Sequence, residues 1–151
     1  MSSSRAVAPP SADITSRDDV EGLVRAFYAK AMTDTMIGYL FTDIARLDLE
    51  AHVPVITDFW ETVLLGSGSY RGGAFAVHQQ LDRRSPLRGG HFERWITLWS
   101  QTVDELFAGP CAEEAKAHAR RVARAFNRRL QGLPDEPEGA PGGLLRIIPP
   151  R

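Results

Sequence analysis

The chain predicts an all-α fold, and three observations carry that expectation. Apolar residues recur at steps of three and four through most of the sequence, no segment alternates apolar and polar with a period of two, and glycine or proline clusters close the periodic stretches. At 151 residues and 43% hydrophobic, the chain is long enough for one domain with a core and too short for two of ordinary size.

The two ends differ from the middle. Residues 1–13 are rich in Ser, Ala and Pro and read as a disordered N-terminal extension, and residues 132–151 read as a Pro/Gly-rich tail. The domain is then expected over 14–131. The last eight residues, LLRIIPPR, are more apolar than a linker, so an unattached tail and a segment docked on a groove both stay open.

The first helix is expected from Ser16, whose hydroxyl can cap the amide of Asp19, with Val20, Leu23, Val24, Phe27, Tyr28 and Ala31 on one face. IGYLF, residues 37–41, suits a single helical turn at a corner. The next helix begins at an Asp48 cap or slightly later. His52, Ile56, Phe59 and Val63 form one stripe, widened by Val53, Trp60 and Leu64. Pro54 removes a backbone hydrogen bond there, so the regular helix either starts near Val53 or is kinked.

GSGSYRGG, residues 66–73, ends that helix, and AFAVHQQL, residues 74–81, is expected to make about two turns. Residues 91–107 place Phe92, Trp95, Trp99, Val103 and Leu106 at helical spacing. Residues 112–131 do the same with Ala115, Ala119, Val122, Phe126 and Leu130, the alanines allowing close helix approach.

Charge excludes some functions. The net charge of -1 comes from 18 basic and 19 acidic residues mixed along the chain, so neither nucleic acid nor an anionic membrane is an expected partner. One cysteine rules out an intrachain disulfide and fits a reducing, cytoplasmic setting. No apolar run approaches the ~20 residues of a membrane span.

One stretch points to chemistry. FWETVLLGSGSYRG, residues 59–72, is an aromatic helix end followed by a glycine-broken loop, and His78 then stands alone on its own short helix. That is how a helical protein would offer one axial ligand to a flat, apolar cofactor such as haem.

Phe27-Tyr28, His52 with Ile56, Phe59 and Trp60, LLGSGSYRG, His78 and HFERWITLW occur in an order that resembles the truncated haemoglobins, most closely their third group, over about residues 18–130. The resemblance implies a truncated globin fold, a two-over-two helical sandwich, holding haem b. It makes His78 the proximal ligand of the iron. Tyr28 and Trp95, on spacing alone core aromatics with polar tips, become distal hydrogen-bond donors to a diatomic ligand (O2, NO or CO).

His52 is either a distal gate or a solvent-facing histidine beside the pocket. Phe27, Phe41, Ile56, Phe59, Trp60, Val77 and Phe92 are the expected apolar walls. Tyr70, with Arg71, Arg83 and Arg84, is a candidate to meet the haem propionates. His91 and His118 match no ligand position and are expected to be solvated or structural.

Two distal donors suit oxygen or nitric oxide chemistry, including nitric oxide dioxygenase or peroxidase-like activity with a reductase as partner, better than bulk transport. The alternative outside haem is a helical bundle serving as a metal-binding or protein-interaction module. Against its metal form, no two histidines stand three or four apart on one helix.

Overall fold

The computed structural model describes residues 10–134, so the apolar LLRIIPPR end and most of both terminal extensions lie outside the described residues. Among the described residues five α-helices follow in order: α1 (Arg17–Ala31), α2 (Leu49–Leu65), α3 (Ala74–Arg84), α4 (Gly89–Leu106) and α5 (Pro110–Leu130). No strand occurs among the described residues. α1 packs on α2 and on α4, and α4 packs on α5, which also meets α2. The result is two helix pairs, one over the other, with α3 resting on α5.

Local chemistry explains the helix ends. Ser16 accepts from the amide of Asp19 and starts α1 as expected. Asp48 accepts from the amide of Ala51, so α2 starts at Leu49 rather than near Val53 and runs on through Pro54. The carbonyl of Glu50 thereby loses its helical partner, but Glu50 and Pro54 are both exposed and water can replace it. Gly66, at φ 72°, stops α2 in the left-handed conformation that glycine adopts without strain.

Three boundaries differ from expectation. The corner turn is a five-residue π-helical turn over Leu40–Ile44, later than residues 37–41. α3 makes about three turns, because the amide of Leu87 bonds the Asp82 carboxylate and closes the chain only after Arg84. Ala12 and Asp13 belong to the folded unit: the Ala12 carbonyl accepts from the amide of Ala108, and Asp13 caps α5 through the amides of Cys111 and Ala112 at 2.9 and 2.8 Å.

The core lies between the pairs. Val20, Leu23 and Val24 of α1 face Val53, Thr57 and Trp60 of α2, and Trp99 and Val103 come from α4. Leu106, expected on that face, is 40% exposed where α4 ends. Ala112, Ala115, Ala119 and Ala123 are buried along one stripe of α5, so its backbone approaches α4 closely enough for Trp99 Nε1 to donate to the Ala115 carbonyl at 3.1 Å.

Asp34 fixes the corner. It accepts two bonds from Arg94 of α4 and two from the amides of Met36 and Ile37, and the Arg94 guanidinium holds its pKa below the usual carboxylate range. Charges are also less mixed than the composition suggests. From His118 to Pro134 there are five arginines and no carboxylate, so the second half of α5 is a basic face.

Candidate functional site

The helices enclose a cavity of about 390 Å³, and the twelve residues expected to form a site, Phe27, Tyr28, Phe41, His52, Ile56, Phe59, Trp60, Tyr70, Val77, His78, Phe92 and Trp95, all line it. The lining is mostly apolar carbon. Its residues with polar side-chain atoms are three histidines, two tyrosines and three tryptophans, of which Trp99 spends its N–H on the Ala115 carbonyl.

α2 supplies two adjoining stripes. Val53, Thr57 and Trp60 turn into the core, while the next stripe, His52, Ile56 and Phe59, is half-buried and faces the cavity. The single stripe read from spacing divides because α2 packs α1 on one side and borders open space on the other.

His52 is not a surface residue beside the pocket. Its Nε2 lies 2.9 Å from the hydroxyl of Tyr28, whose ring is 6% exposed. Burial, with the nearby His78 adding to it, pushes the His52 pKa down, and burial pushes the Tyr28 hydroxyl up. Both are therefore neutral at pH 7. Trp95 sits one turn before Trp99, edge-on to Phe27, and its Nε1–H has no partner among the described residues.

α3 carries His78. Nδ1 of His78 is 2.7 Å from the Ala74 carbonyl, four residues earlier. A carbonyl only accepts, so Nδ1 bears the proton and Nε2 keeps a lone pair. Burial lowers the pKa of the ring, with the Ala74 carbonyl opposing, and it stays neutral.

α3 has no fully buried residue and is held by a few specific contacts. Phe126 of α5 touches both Phe75 and His78, at ring distances of 5.4 and 5.1 Å, and Arg129 stacks on Phe75 at 4.2 Å. The Tyr70 hydroxyl accepts from the amide of Ala74 at 2.9 Å and caps the helix.

Of the rim candidates, Tyr70 lines the cavity, and Arg71, Arg83 and Arg84 do not. Arg84 instead bonds the carbonyl of Ile44, which ends the π-helical turn. His91 is structural: its Nδ1 accepts from the amide of Arg88 at 3.0 Å and its Nε2 meets the Tyr39 hydroxyl at 3.2 Å. His118 is 1% exposed, so only the structural half of its expectation holds.

Spacing alone missed the part α5 plays. Val122, Ala123 and Phe126 complete the wall beside His78, and their signal was the inner stripe of the last helix. Trp99 was likewise read only as core and also reaches the cavity.

No cluster of three or more His, Cys, Asp or Glu side chains among the described residues is placed to hold a bare metal ion. No helix among them is long and apolar enough to cross a membrane.

Four core helices in two crossed pairs, a short fifth helix bearing an imidazole with a free lone pair, and one apolar cavity between them define a truncated globin fold. The chain resembles the group III truncated haemoglobins. It is 26% identical over 117 residues to a group 3 truncated haemoglobin of Campylobacter jejuni, a match covering 76% of this chain and 90% of that protein. The crystal structure of a group III truncated haemoglobin from the same organism superposes with a TM-score of 0.68 at 24% identity, covering 78% of this chain and 92% of that one. No family model matches the chain.

Proposed function

We propose that this chain is a globin-type haem protein that binds a diatomic gas, with haem b in the cavity and His78 Nε2 as its proximal ligand. The observation that carries this is the state of His78: Nδ1 is committed to the Ala74 carbonyl at 2.7 Å, which leaves the lone pair of Nε2 for a metal and fixes the ring's orientation. The residues fit the group, because the cavity is predominantly apolar, as a porphyrin requires, and offers one such imidazole. When bound, haem would supply an iron able to take O2, NO or CO.

This chain's own residues do the rest. Phe126 and Tyr70 orient α3 and with it His78. Ile56, Phe59 and Phe92 exclude water from the cavity, and Tyr70 is the side chain near enough to meet a carboxylate at the rim. Tyr28 and Trp95 are the distal donors, neutral groups that direct hydrogen toward a ligand gaining negative charge. Such hydrogen bonds contribute about 1.5–3 kcal/mol each. His52 is the third polar group there, and its bond to Tyr28 makes it a regulator of that donor rather than a bystander.

Two donors retain a ligand too firmly for delivery, which favours oxygen or nitric oxide chemistry, with electrons from a reductase, in a reducing cytoplasmic setting. The protein reconstituted with haem is expected to show a Soret band and, with a reductant present, to consume nitric oxide. His78→Ala abolishes tight haem retention and His91→Ala does not. Equal retention by the two variants would refute the ligand assignment.

A further inference from the structure

All three tryptophans of the chain stand in one stack. Trp60 of α2 and Trp99 of α4 are nearly parallel, 20° apart with centroids at 4.5 Å, and Trp95 lies 13° from Trp99 at 6.3 Å. Trp95 and Trp99 stand one turn apart on α4, so the helix repeat brings their rings onto one face, and Trp60 joins them from α2. Aromatic pairs in cores settle either offset-stacked or edge to face, and the pairings of Phe27, Tyr28 and Phe59 with their neighbours are tilted by 56° or more. Only the indoles lie parallel.

The chemistry of that arrangement is specific. Indole and phenol are the side chains most easily oxidised by one electron, and parallel indoles share the missing electron across their overlapping rings. Trp99 is the middle ring, 1% exposed, and its Nε1–H donates to the Ala115 carbonyl at 3.1 Å. The negative end of the carbonyl dipole stabilises a positive indole, yet an amide carbonyl is too weak a base to remove its proton. The competing phenol, Tyr28, must pass its proton to His52 to remain oxidised. Burial depresses the basicity of that imidazole.

We infer that the Trp95–Trp99–Trp60 stack is a one-electron donor to the cavity, with Trp99 holding the cation when hydrogen peroxide oxidises the cofactor. The inference rests on the haem reading above. In that step the O–O bond of one hydrogen peroxide breaks and takes up two electrons, one from the iron and one from the stack; one oxygen leaves as water with both peroxide protons, the other stays with the oxidised cofactor, and Trp99 keeps its own proton. The oxidising equivalent thereby leaves the cofactor for a shared set of rings, sparing the porphyrin.

The test mixes the ferric, haem-reconstituted full chain with hydrogen peroxide, freezes it, and records electron paramagnetic resonance. Samples carry ring-deuterated tryptophan or ring-deuterated tyrosine. The expected radical narrows with deuterated tryptophan only, and peptide mass spectrometry finds oxidised products on Trp99 or Trp60. Trp60→Phe keeps an aromatic ring but removes the closer of the two parallel indole pairs, so radical yield falls several-fold and the Soret band bleaches faster. Narrowing with deuterated tyrosine instead, or an unchanged yield in Trp60→Phe, would overturn the inference alone. Failure to form a Soret band at all would overturn the haem reading and this inference together.

Discussion

The hydroxyl of Tyr28 lies 2.9 Å from Nε2 of His52, so α1 and α2 are joined by a hydrogen bond inside the cavity. A hydroxyl has one hydrogen. While it is directed at the lone pair of His52, it is not directed at a ligand, and the direction of this bond decides whether Tyr28 acts as a distal donor. Replacing Tyr28 by Phe removes the donor, and a loss of about 1.5–3 kcal/mol corresponds to dioxygen release roughly 10- to 150-fold faster from the ferrous protein. His52→Leu acts the other way, because the tyrosine hydrogen then has the ligand as its partner, and release slows. Stopped-flow dissociation kinetics read both variants. An unchanged rate in Tyr28→Phe would refute the donor role.

Asp13 closes the fold from outside the helices. Its carboxylate accepts from the amides of Ile14, Cys111 and Ala112, and although burial alone would raise its pKa, these amides hold it below the usual range. Gly109, at φ 142°, passes so close that a Cβ would sit 2.5 Å from the carboxyl carbon of Asp13. Asp13→Ala leaves two amides at the start of α5 without their partner and is expected to cost about 1–2 kcal/mol, the range for a lost helix cap. Gly109→Ala loses at least as much, since it adds backbone strain to a displaced cap. Urea unfolding of the two variants measures both. Equal stability of Asp13→Ala and the parent would show that the cap is replaceable by water.

These contrasts show which features spacing can reveal. The α1 face and the Ser16 cap were legible because a helix obeys local rules, and the same rules put His78 on a helix of its own. The role of Asp13 was not legible, because its partners lie about a hundred residues away and no local pattern marks them. Pro54 left the start of α2 open for a related reason. Proline is penalised inside a helix when the orphaned carbonyl is buried, and only the tertiary structure says that Glu50 faces water. The residues of α1, α2 and α4 expected around a pocket do border the cavity, whereas α5 looked like plain core, since a residue facing a neighbouring helix and one facing a cavity share the same period.

His118 links burial to pH. The ring is 1% exposed, between Phe59 and Trp60. Arg121 donates to its Nδ1 at 3.2 Å, so the neutral ring carries its proton on Nε2, which is buried without a partner. Burial, reinforced by the Arg121 charge and opposed by Glu114, pushes its pKa down to about 4. In the unfolded chain the same ring titrates near the ordinary histidine value, about 6.5. Between these values the unfolded chain binds a proton that the folded chain refuses. Stability is therefore complete above the upper value and falls as pH drops through the window, by on the order of 3 kcal/mol in all. His52 and His78, also depressed by burial, act in the same direction, so the contribution of His118 is isolated by comparison with His118→Leu. Urea unfolding at about pH 7 and about pH 4.5 should show the parent losing more stability than the variant, by on the order of 2 kcal/mol. Equal losses would mean that the buried imidazole accepts its proton without unfolding, through a local opening at Arg121.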